Sequence, residues 1–432
     1  MFRSHLVTAL PSSPNDGQVG QVVRGCARRT TGVSILPRSP RIAIVGAGPV
    51  GLTLAVLLHR AGVTPAVFEA GPAIAEELRA STFHPPTLDM LDTIGVARPL
   101  VAQGLVTPEW QIRLHETGER AVFDLSVLRE DTGFPHRLQC EQQRLSHLLL
   151  PLLPAGTVRF ATAVAAVSQD DAGAELALES GETVPVDYVI GCDGARSAVR
   201  RAMGLDFPGD TYPETTILAT TTFPFHEHLP HLSNVNYIWT SHPAFSGTFS
   251  LLRVPGRWRA SLYPAPGEDV GAALEPAAVE RKLQAIHPKP TPYDVPDLRP
   301  YRIHQRIAAD YRRGRLLLAG DAAHLNSPSG GMGMNGGIHD AFELAETLLP
   351  VLRGEASDAL LDRYTRRRRP VAEREILAQA DRNRARMRET DPARRRAMLA
   401  EMRVLCGDPV RLREHLLRTS MITGLREAAR VE

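Results

Sequence analysis

The chemistry that the sequence indicates most directly is the binding of a diphosphate at a glycine-rich turn, formed by Gly46, Ala47, Gly48, Pro49, Val50 and Gly51. Glycines allow the backbone to bend sharply and to approach a phosphate group closely. The helix that follows would point its unpaired N–H groups and the positive end of its dipole at the anion. Pro49 suits the first turn of that helix, because its missing N–H group would have no partner there. The turn therefore predicts a dinucleotide site, and by itself it leaves NAD and FAD open.

The residues around this turn complete a unit of strand, helix and second strand. Residues 42–45 form a short apolar run typical of a buried parallel strand, and the helix should end near Gly62. A second strand, residues 66–68, then leads to Glu69 and Ala70. A carboxylate about 20 residues beyond the glycines is the expected partner of a ribose hydroxyl. We therefore place Glu69 and Ala70 in the predicted cofactor site.

Two further apolar runs each end at an aspartate. One leads to Asp193, and the other leads to Gly320 and Asp321. Ligands of open α/β sheets gather at the carboxyl ends of strands, although an Asp-Gly pair also fits an ordinary turn. One elongated ligand that touches residues 46–51 and both aspartates explains the three strand ends together.

A glycine-rich segment follows Asp321. Five of the eight residues 330–337 are glycines, and we expect them to form a loop before a helix that carries Ile338. Glycines lose much conformational entropy on folding, so a loop with this many of them is costly. Close approach of a ligand to the backbone would explain why the loop has glycines there. Together with the helix N-terminus it would form a docking site for a flat group that gains negative charge.

Composition limits the classes of protein to which the chain could belong. Its 432 residues, 43% hydrophobic and 23% charged, can bury a large core in two or three lobes, which excludes a disordered protein. The net charge of +2 gives no indication of a nucleic-acid partner. The four cysteines are neither closely paired nor spaced like metal ligands, which favours a reducing cytoplasm. No apolar run reaches the roughly 18 residues of a membrane span.

We predict an α/β fold, in which a Rossmann-like domain is interleaved with a mainly antiparallel β-sheet domain and followed by C-terminal helices. Residues 1–40 lack periodicity and are predicted to be a disordered leader, with a targeting peptide as the alternative. The Rossmann-like domain would comprise residues 41–206, with inserted strands, and residues 311–356. Residues 207–310 are rich in strand-forming types and would form the second domain. Residues 357–432 have helical periodicity and would wrap the outside of the first domain.

Isolated polar and aromatic residues add candidates to the site. Arg79 could reach the phosphate turn and bind phosphate or ribose oxygens, with a surface arginine as the alternative. Gln142 begins an amphipathic helix, and the histidines around Glu227 lack the spacing of a zinc motif, so we predict no metal site. Aromatic side chains on the strands of the second domain could line a ligand cavity or fill the core: Phe223, Phe225, Tyr237, Trp239 and Tyr263.

Three motifs in combination resemble one enzyme family. GAGPVG at residue 46, DGARSAVR at residue 193 and GDAAHLNSPSGGMGMNGGIHDA at residue 320 are similar to the group A FAD-dependent monooxygenases, the para-hydroxybenzoate hydroxylase-like aromatic hydroxylases. The resemblance covers roughly residues 41–372. It implies FAD as the cofactor, and hydroxylation of a phenolic or polycyclic aromatic molecule with NAD(P)H and O₂ through a C4a-hydroperoxyflavin. The substrate would bind against residues 207–310.

The resemblance also assigns residues to parts of FAD. It implies that the glycines of residues 46–51 hold the diphosphate, with Glu69 on the adenosine ribose and Arg79 near phosphate and ribose. Gln142 would lie beside the flavin, and Asp193 is associated with both FAD and the nicotinamide cofactor.

The third motif would contact the flavin half of the cofactor. The resemblance implies that Asp321 accepts hydrogen bonds from the ribityl chain and that Pro328 faces the isoalloxazine ring. The backbone of Gly333, Met334 and Asn335 would face the pyrimidine edge of the flavin. The chain departs from many members at Met332, where they have glutamine.

Other classes remain as alternatives. A flavin-dependent dehydrogenase or reductase on the same scaffold would differ in not consuming O₂, and a non-catalytic escort protein would not bind FAD. A flavin-dependent halogenase should carry a WxWxIP signature, whereas this chain has Glu109-Trp110-Gln111-Ile112. The sequence assigns no catalytic acid or base, and it does not indicate the oligomeric state.

Overall fold

The computed structural model of the protein describes residues 41–77, 79–328 and 330–432. The predicted leader, residues 1–40, lies outside the described residues. The strands in chain order are β1 (Ile42–Val45), β2 (Ala66–Phe68), β3 (Thr82–Phe83), β4 (Leu105–Thr107), β5 (Glu109–Leu114), β6 (Arg120–Asp124), β7 (Arg137–Gln139), β8 (Val158–Arg159), β9 (Val164–Gln169), β10 (Ala174–Leu178), β11 (Thr183–Val186), β12 (Tyr188–Gly191), β13 (Gly209–Thr221), β14 (Val235–Trp239), β15 (Thr248–Val254), β16 (Arg257–Leu262), β17 (Asp297–Ile307), β18 (Arg312–Arg313), β19 (Leu316–Leu318) and β20 (His324–Leu325).

The helices are distributed unevenly, and the second half of the chain carries the longest one. In chain order they are α1 (Pro49–Arg60), α2 (Pro85–Thr93), α3 (Ala97–Val101), α4 (Gln142–Leu149), α5 (Ala198–Ala202), α6 (Phe225–His228), α7 (Val270–Leu274), α8 (Pro276–Ile286), α9 (Gly333–Leu352), α10 (Asp362–Val371), α11 (Ala378–Met387), α12 (Pro392–Cys406), α13 (Pro409–Thr419) and α14 (Ile422–Ala428). A π-helical stretch, Ala372–Leu377, joins α10 to α11. No helix of the described residues is long and apolar enough to cross a membrane.

A six-stranded sheet carries the first unit predicted from the sequence. Its order is β18-β19-β12-β1-β2-β8, and all neighbouring pairs except β18 with β19 are parallel. All four residues of β1 and of β12 are buried, as expected for central strands whose two faces are both covered. α1 packs against α9 over this sheet. The parallel arrangement places the ends of β1, β12 and β19 side by side, as the sequence predicted.

An eight-stranded sheet forms the second layer, in the order β20-β17-β13-β16-β15-β14-β5-β6. Only the pair β14 and β5 is parallel, so the sheet is mainly antiparallel, as predicted. The sheet also includes strands that lie outside residues 207–310, namely β5, β6 and β20. Their pairing is tertiary: β5 joins β14 across more than a hundred residues of chain, which short-range patterns do not encode.

The C-terminal helices pack against the first domain, as expected, and also contact the eight-stranded sheet. Leu361, Tyr364 and Ile376 belong to the core of the six-stranded sheet. Leu399, Leu412 and Leu416, by contrast, pack with residues of β5, β6 and β14. α11 continues from the first core toward the second sheet and reaches the cleft described below.

Candidate active site

A cleft of about 1830 Å³ lies where the two sheets meet. One wall is formed by the turn after β1, the ends of β12 and β19, and the loop before α9. The opposite wall comes from β13, β14, β15 and β16 of the eight-stranded sheet, with side chains of α11 and α13. The predicted site residues that line it are Gly46, Gly48, Pro49, Val50, Glu69, Ala70, Arg79, Gln142, Asp193, Asp321, Pro328, Gly333 and Met334, whereas Gly51, Gly320 and Asn335 do not.

The three glycines of the phosphate turn have different physical roles. Gly46 has a φ of +103° and its backbone lies against the carbonyl of Cys192, where a Cβ atom would collide. A Cβ atom at Gly51 would collide with the carbonyl oxygen of Gly46, so this glycine allows α1 to pack on the turn. Around the Cβ position of Gly48, no atom of the described residues beyond its own chain neighbours lies within 4 Å. Gly48 is therefore the glycine that leaves backbone open to a ligand.

Glu69 braces the same turn. Its Oε2 atom accepts a hydrogen bond from the Ala47 N–H group at 2.7 Å, and Oε1 accepts one from the Gly71 N–H group at 2.8 Å. The carboxylate thus fixes the turn from the end of β2 while it also lines the cleft beside Ala70. The structure adds this bracing role to the ribose contact predicted from the sequence.

Asp193 is held at the start of a helix. Its Oδ2 atom accepts a hydrogen bond from the Ala198 N–H group at 2.7 Å, at the beginning of α5. Its Oδ1 atom is buried and has no hydrogen-bond partner among the described residues. Burial raises the pKa of the Asp193 carboxyl above its ordinary value, and the hydrogen bonds from Ser197 and Ala198 oppose that rise. A free acceptor at a strand end is suited to a ligand hydroxyl or N–H group.

Asp321 reaches the open cleft at the end of β19. Burial by the surrounding protein raises the pKa of its carboxyl, and the charges of His324 and Arg79 oppose that rise. Gly320 does not line the cleft. Its φ of +61° and its approach to Val50 turn the chain so that Asp321 faces the cleft. Gly320 therefore positions Asp321, and its own contact with the cofactor stays a prediction.

A buried ion cluster that the sequence analysis missed fixes this turn. Asp340 of α9 is fully buried; its Oδ2 atom accepts hydrogen bonds from the Gly320 N–H group at 3.0 Å and from His324 Nε2 at 2.7 Å. Its Oδ1 atom accepts from Arg368 Nε at 2.7 Å. Burial alone would raise the pKa of Asp340, yet His324 and Arg368 lower it below the ordinary value. The three residues come from separate elements, and although His324 and Asp340 belong to the third motif, nothing along the chain marks their contact with each other or with Arg368.

The glycine-rich segment is not a loop throughout, because α9 begins at Gly333. A Cβ atom at Gly336 would collide with Ile376, and one at Gly337 would lie 2.7 Å from Val50 Cγ2. These two glycines therefore permit close helix packing and are not explained by a ligand. Gly333 and Met334 line the cleft at the first turn of α9, where N–H groups are unpaired within the helix.

The side chain of Asn335 has a structural role, while the predicted approach of its backbone to the cofactor stays a prediction. Its side chain is fully buried, accepts from the His84 N–H group at 2.9 Å, and donates to the carbonyls of Thr82 and Gly331 at 2.8 and 2.6 Å. Burial lowers the pKa of His84 well below its usual value, so its ring is neutral and donates from Nε2 to the Gly330 carbonyl at 2.9 Å. Together they tie the loop before α9 to β3.

Arg79 and Gln142 both lie on the cleft rim. The guanidinium of Arg79 is largely exposed and pairs with Glu77 at 2.7 Å, and its contact with phosphate or ribose stays a prediction. Gln142 is the first residue of α4, as predicted, and its N–H group donates to the Ala80 carbonyl at 3.0 Å. Pro328 lines the cleft from the loop before α9.

The aromatic candidates separate into two groups. Tyr237 and Tyr263 line the cleft, whereas Trp239 and Phe225 are fully buried in two separate cores and Phe223 packs beside Phe225. The sequence analysis did not single out several other cleft residues, which come from distant segments: Trp110, Arg137, Phe249, Arg386 and His415. The alternation of side chains along a strand predicts which residues share a face of the sheet. It does not predict which face of the sheet borders a cleft.

Comparisons with known proteins place the chain among characterised relatives. A family model described as an FAD binding domain matches residues 40–379. Para-nitrophenol 4-monooxygenase of Pseudomonas sp. (strain WBC-3) is 36% identical over 399 residues, which cover 89% of this chain and 96% of the relative. A 6-hydroxy-3-succinoylpyridine 3-monooxygenase of Pseudomonas putida is 32% identical, covering 76% and 84%. The crystal structure of p-nitrophenol 4-monooxygenase from Pseudomonas putida DLL-E4 superposes with a TM-score of 0.80 at 33% identity, covering 89% and 97%.

Proposed function

The chain belongs to the FAD-binding-domain family and is an FAD-dependent monooxygenase of the aromatic-hydroxylase type, and we propose that it oxygenates a small phenolic molecule with NAD(P)H and O₂ as co-substrates. The observation that carries this proposal is a continuous cleft that joins a dinucleotide turn to an aromatic-lined wall of the second sheet. The relatives that support it act, by their names, on para-nitrophenol and on a hydroxylated pyridine.

The residues of the cleft fit FAD in two respects. The backbone at Gly48 is open to a ligand beside the N-terminus of α1, where the dipole favours a diphosphate. The Oδ1 atom of Asp193 is a buried acceptor without a partner among the described residues, and the carboxylate of Asp321 faces the cleft. We propose that the phosphate turn holds the diphosphate, with Glu69 and Arg79 toward the adenosine end and Gln142, Asp193, Asp321 and Pro328 toward the flavin end.

The bound FAD would supply the redox chemistry, by accepting hydride from NAD(P)H and activating O₂. The chain's own contribution is electrostatic and geometric. The first turn of α9, at Gly333 and Met334, offers a fixed positive dipole end that favours a ring gaining negative charge. The buried hydrogen bonds of Asn335 and Asp340 hold that turn and Asp321 in place, so that the site is organised before a ligand arrives.

The test is a turnover assay on the FAD-loaded protein with phenolic and polycyclic compounds, in which NAD(P)H oxidation, O₂ uptake, peroxide release and product mass are followed together. We expect at least one phenol to accelerate NAD(P)H oxidation and to leave as a product with one added oxygen. NAD(P)H oxidation without O₂ uptake would favour the dehydrogenase alternative instead. The use of NAD(P)H, the cytoplasmic location and the lack of a nucleic-acid partner stay predictions.

A further inference from the structure

Arg137 lines the cleft and forms no ion pair with a carboxylate of the described residues. Arg137 begins β7 and is only 4% exposed, yet its side chain lines the cleft. Its guanidinium lies 5.0 Å from the ring centroid of Trp110, and its Nε atom has no hydrogen-bond partner among the described residues. Among the described residues, no carboxylate oxygen lies within 4.0 Å of a nitrogen of the Arg137 guanidinium, the distance limit for an ion pair. A buried cation without a counter-charge is costly unless a ligand supplies the charge.

The groups around Arg137 do not supply the missing negative charge, since the one ionisable side chain that acts on its pKa is the phenol of Tyr237. Arg386 of α11 and His415 of α13 line the same cleft, and Arg386 likewise forms no ion pair with any described carboxylate. Burial, followed by the charges of Arg386, Arg418 and Arg137, lowers the pKa of His415 to about 4, so its ring is neutral near pH 7. A carboxylate on this wall, Glu214, is already held by Arg384 at 2.6 Å and by Arg388 at 2.8 Å.

The surroundings of Arg137 also fit an aromatic ring next to that charge. The indole of Trp110 is fixed by stacking on Phe123, with ring centroids 3.9 Å apart. The hydroxyl of Tyr237 lies beside the guanidinium and beside the backbone of Gly330. Gly330 belongs to the loop before α9, so the cation lies next to the segment that we assign to the flavin.

We propose that Arg137 binds a negatively charged oxygen on the aromatic substrate, so that the enzyme selects ring-borne oxyanions, a phenolate or a carboxylate, over neutral aromatics. The inference rests on the proposed function, because it names the class of substrate for that site. A guanidinium suits this role, since its planar fork can donate two parallel hydrogen bonds to an oxyanion and keeps its charge when buried.

The test measures the binding of matched ligand pairs to the FAD-loaded protein by titration calorimetry. The first pair is 4-nitrophenolate, at a pH where it is ionised, and 4-nitroanisole, in which a methyl group blocks ionisation. The second pair is benzoate and benzamide. We expect at least one anion to bind tenfold or more tightly than its neutral partner, and the pair that shows this difference distinguishes a phenolate from a carboxylate. Equal affinities within both pairs would overturn the proposal without any variant.

Variants then assign the preference to one residue. In Arg137→Met the affinity for the preferred anion should fall by about 10- to 100-fold, the loss of a hydrogen bond to a charged group, while the neutral partner changes less than threefold. Arg137→Lys should restore part of the anion affinity. The matched control is Arg113→Met: Arg113 is 5% exposed on β5, forms no ion pair among the described residues, and donates to the Pro230 carbonyl outside the cleft.

The outcomes separate this inference from the proposed function. An equal loss for anion and neutral ligand in Arg137→Met, or the same loss in Arg113→Met, would show a structural role and overturn the inference. Oxygenation of a phenol at an unchanged KM in Arg137→Met would also overturn it and leave the proposed function standing. Anion binding that depends on Arg137, with no ligand stimulating NAD(P)H oxidation, would support the inference and refute the proposed function.

Discussion

Replacement of Asp340 by asparagine should destabilise the protein far more than the loss of a surface carboxylate. Asp340 is fully buried and lies 2.7 Å from Arg368, which is itself only 1% exposed. Asp340→Asn removes the charge and leaves the guanidinium of Arg368 buried without a counter-charge, which typically costs about 3–5 kcal/mol of unfolding free energy. The new amide would also direct its N–H₂ group at a donor, either Arg368 or the Gly320 N–H group.

The assay is urea unfolding of the apoprotein, so that FAD binding does not contribute to the measured stability. The matched control is Glu182→Gln, since Glu182 is an exposed carboxylate that pairs with Arg159 at 2.6 Å; its unfolding midpoint should not change. If Asp340→Asn lowers the unfolding free energy by less than about 1 kcal/mol, the level of an exposed ion pair, the buried pair does not stabilise the fold as argued.

The same cluster predicts how this stabilisation depends on pH. The folded-state pKa of Asp340 is lowered, so its charged form is favoured by folding. The contribution is therefore fully present above the unfolded-state pKa of about 3.9. It is lost as the pH falls below that value and through the folded-state pKa. The difference in unfolding free energy between the unmodified protein and Asp340→Asn should accordingly shrink in acid and stay constant near neutrality.

Three further predictions concern the cofactor and the substrate. Asp321→Ala should lose most of its FAD affinity in a fluorescence titration, and a fully yellow variant with normal turnover would contradict the proposed cofactor contacts. Gly48→Ala should leave the apoprotein as stable as before but weaken FAD binding, whereas Gly51→Ala should lower the unfolding midpoint because its Cβ atom would collide with Gly46. Exchange of residues 211–263 with those of a relative should change the substrate range in the turnover assay; an unchanged range would locate selectivity elsewhere.

The phosphate turn shows what local sequence can establish. An apolar run, GAGPVG and a downstream Glu69 are contiguous, and each follows from backbone sterics or the helix dipole. The sequence therefore predicted β1, α1 and β2, and its three motifs in combination correctly indicated the family and FAD. The same local reasoning was wrong about Gly336 and Gly337. It explained these glycines by a bound ligand, whereas they are needed for close packing against Ile376 and Val50.

Tertiary structure alone decided which side chains share the cleft. Arg137, Arg386 and His415 lie on three separate elements, and nothing in their neighbours along the chain marks them as a group. Asp340 likewise acquires its role only when α9 and α10 bring it to Arg368. Backbone preferences and strand ends act over a few residues and are written in the sequence. Charge balance and access to a cavity depend on distances between remote segments, which only the folded chain defines.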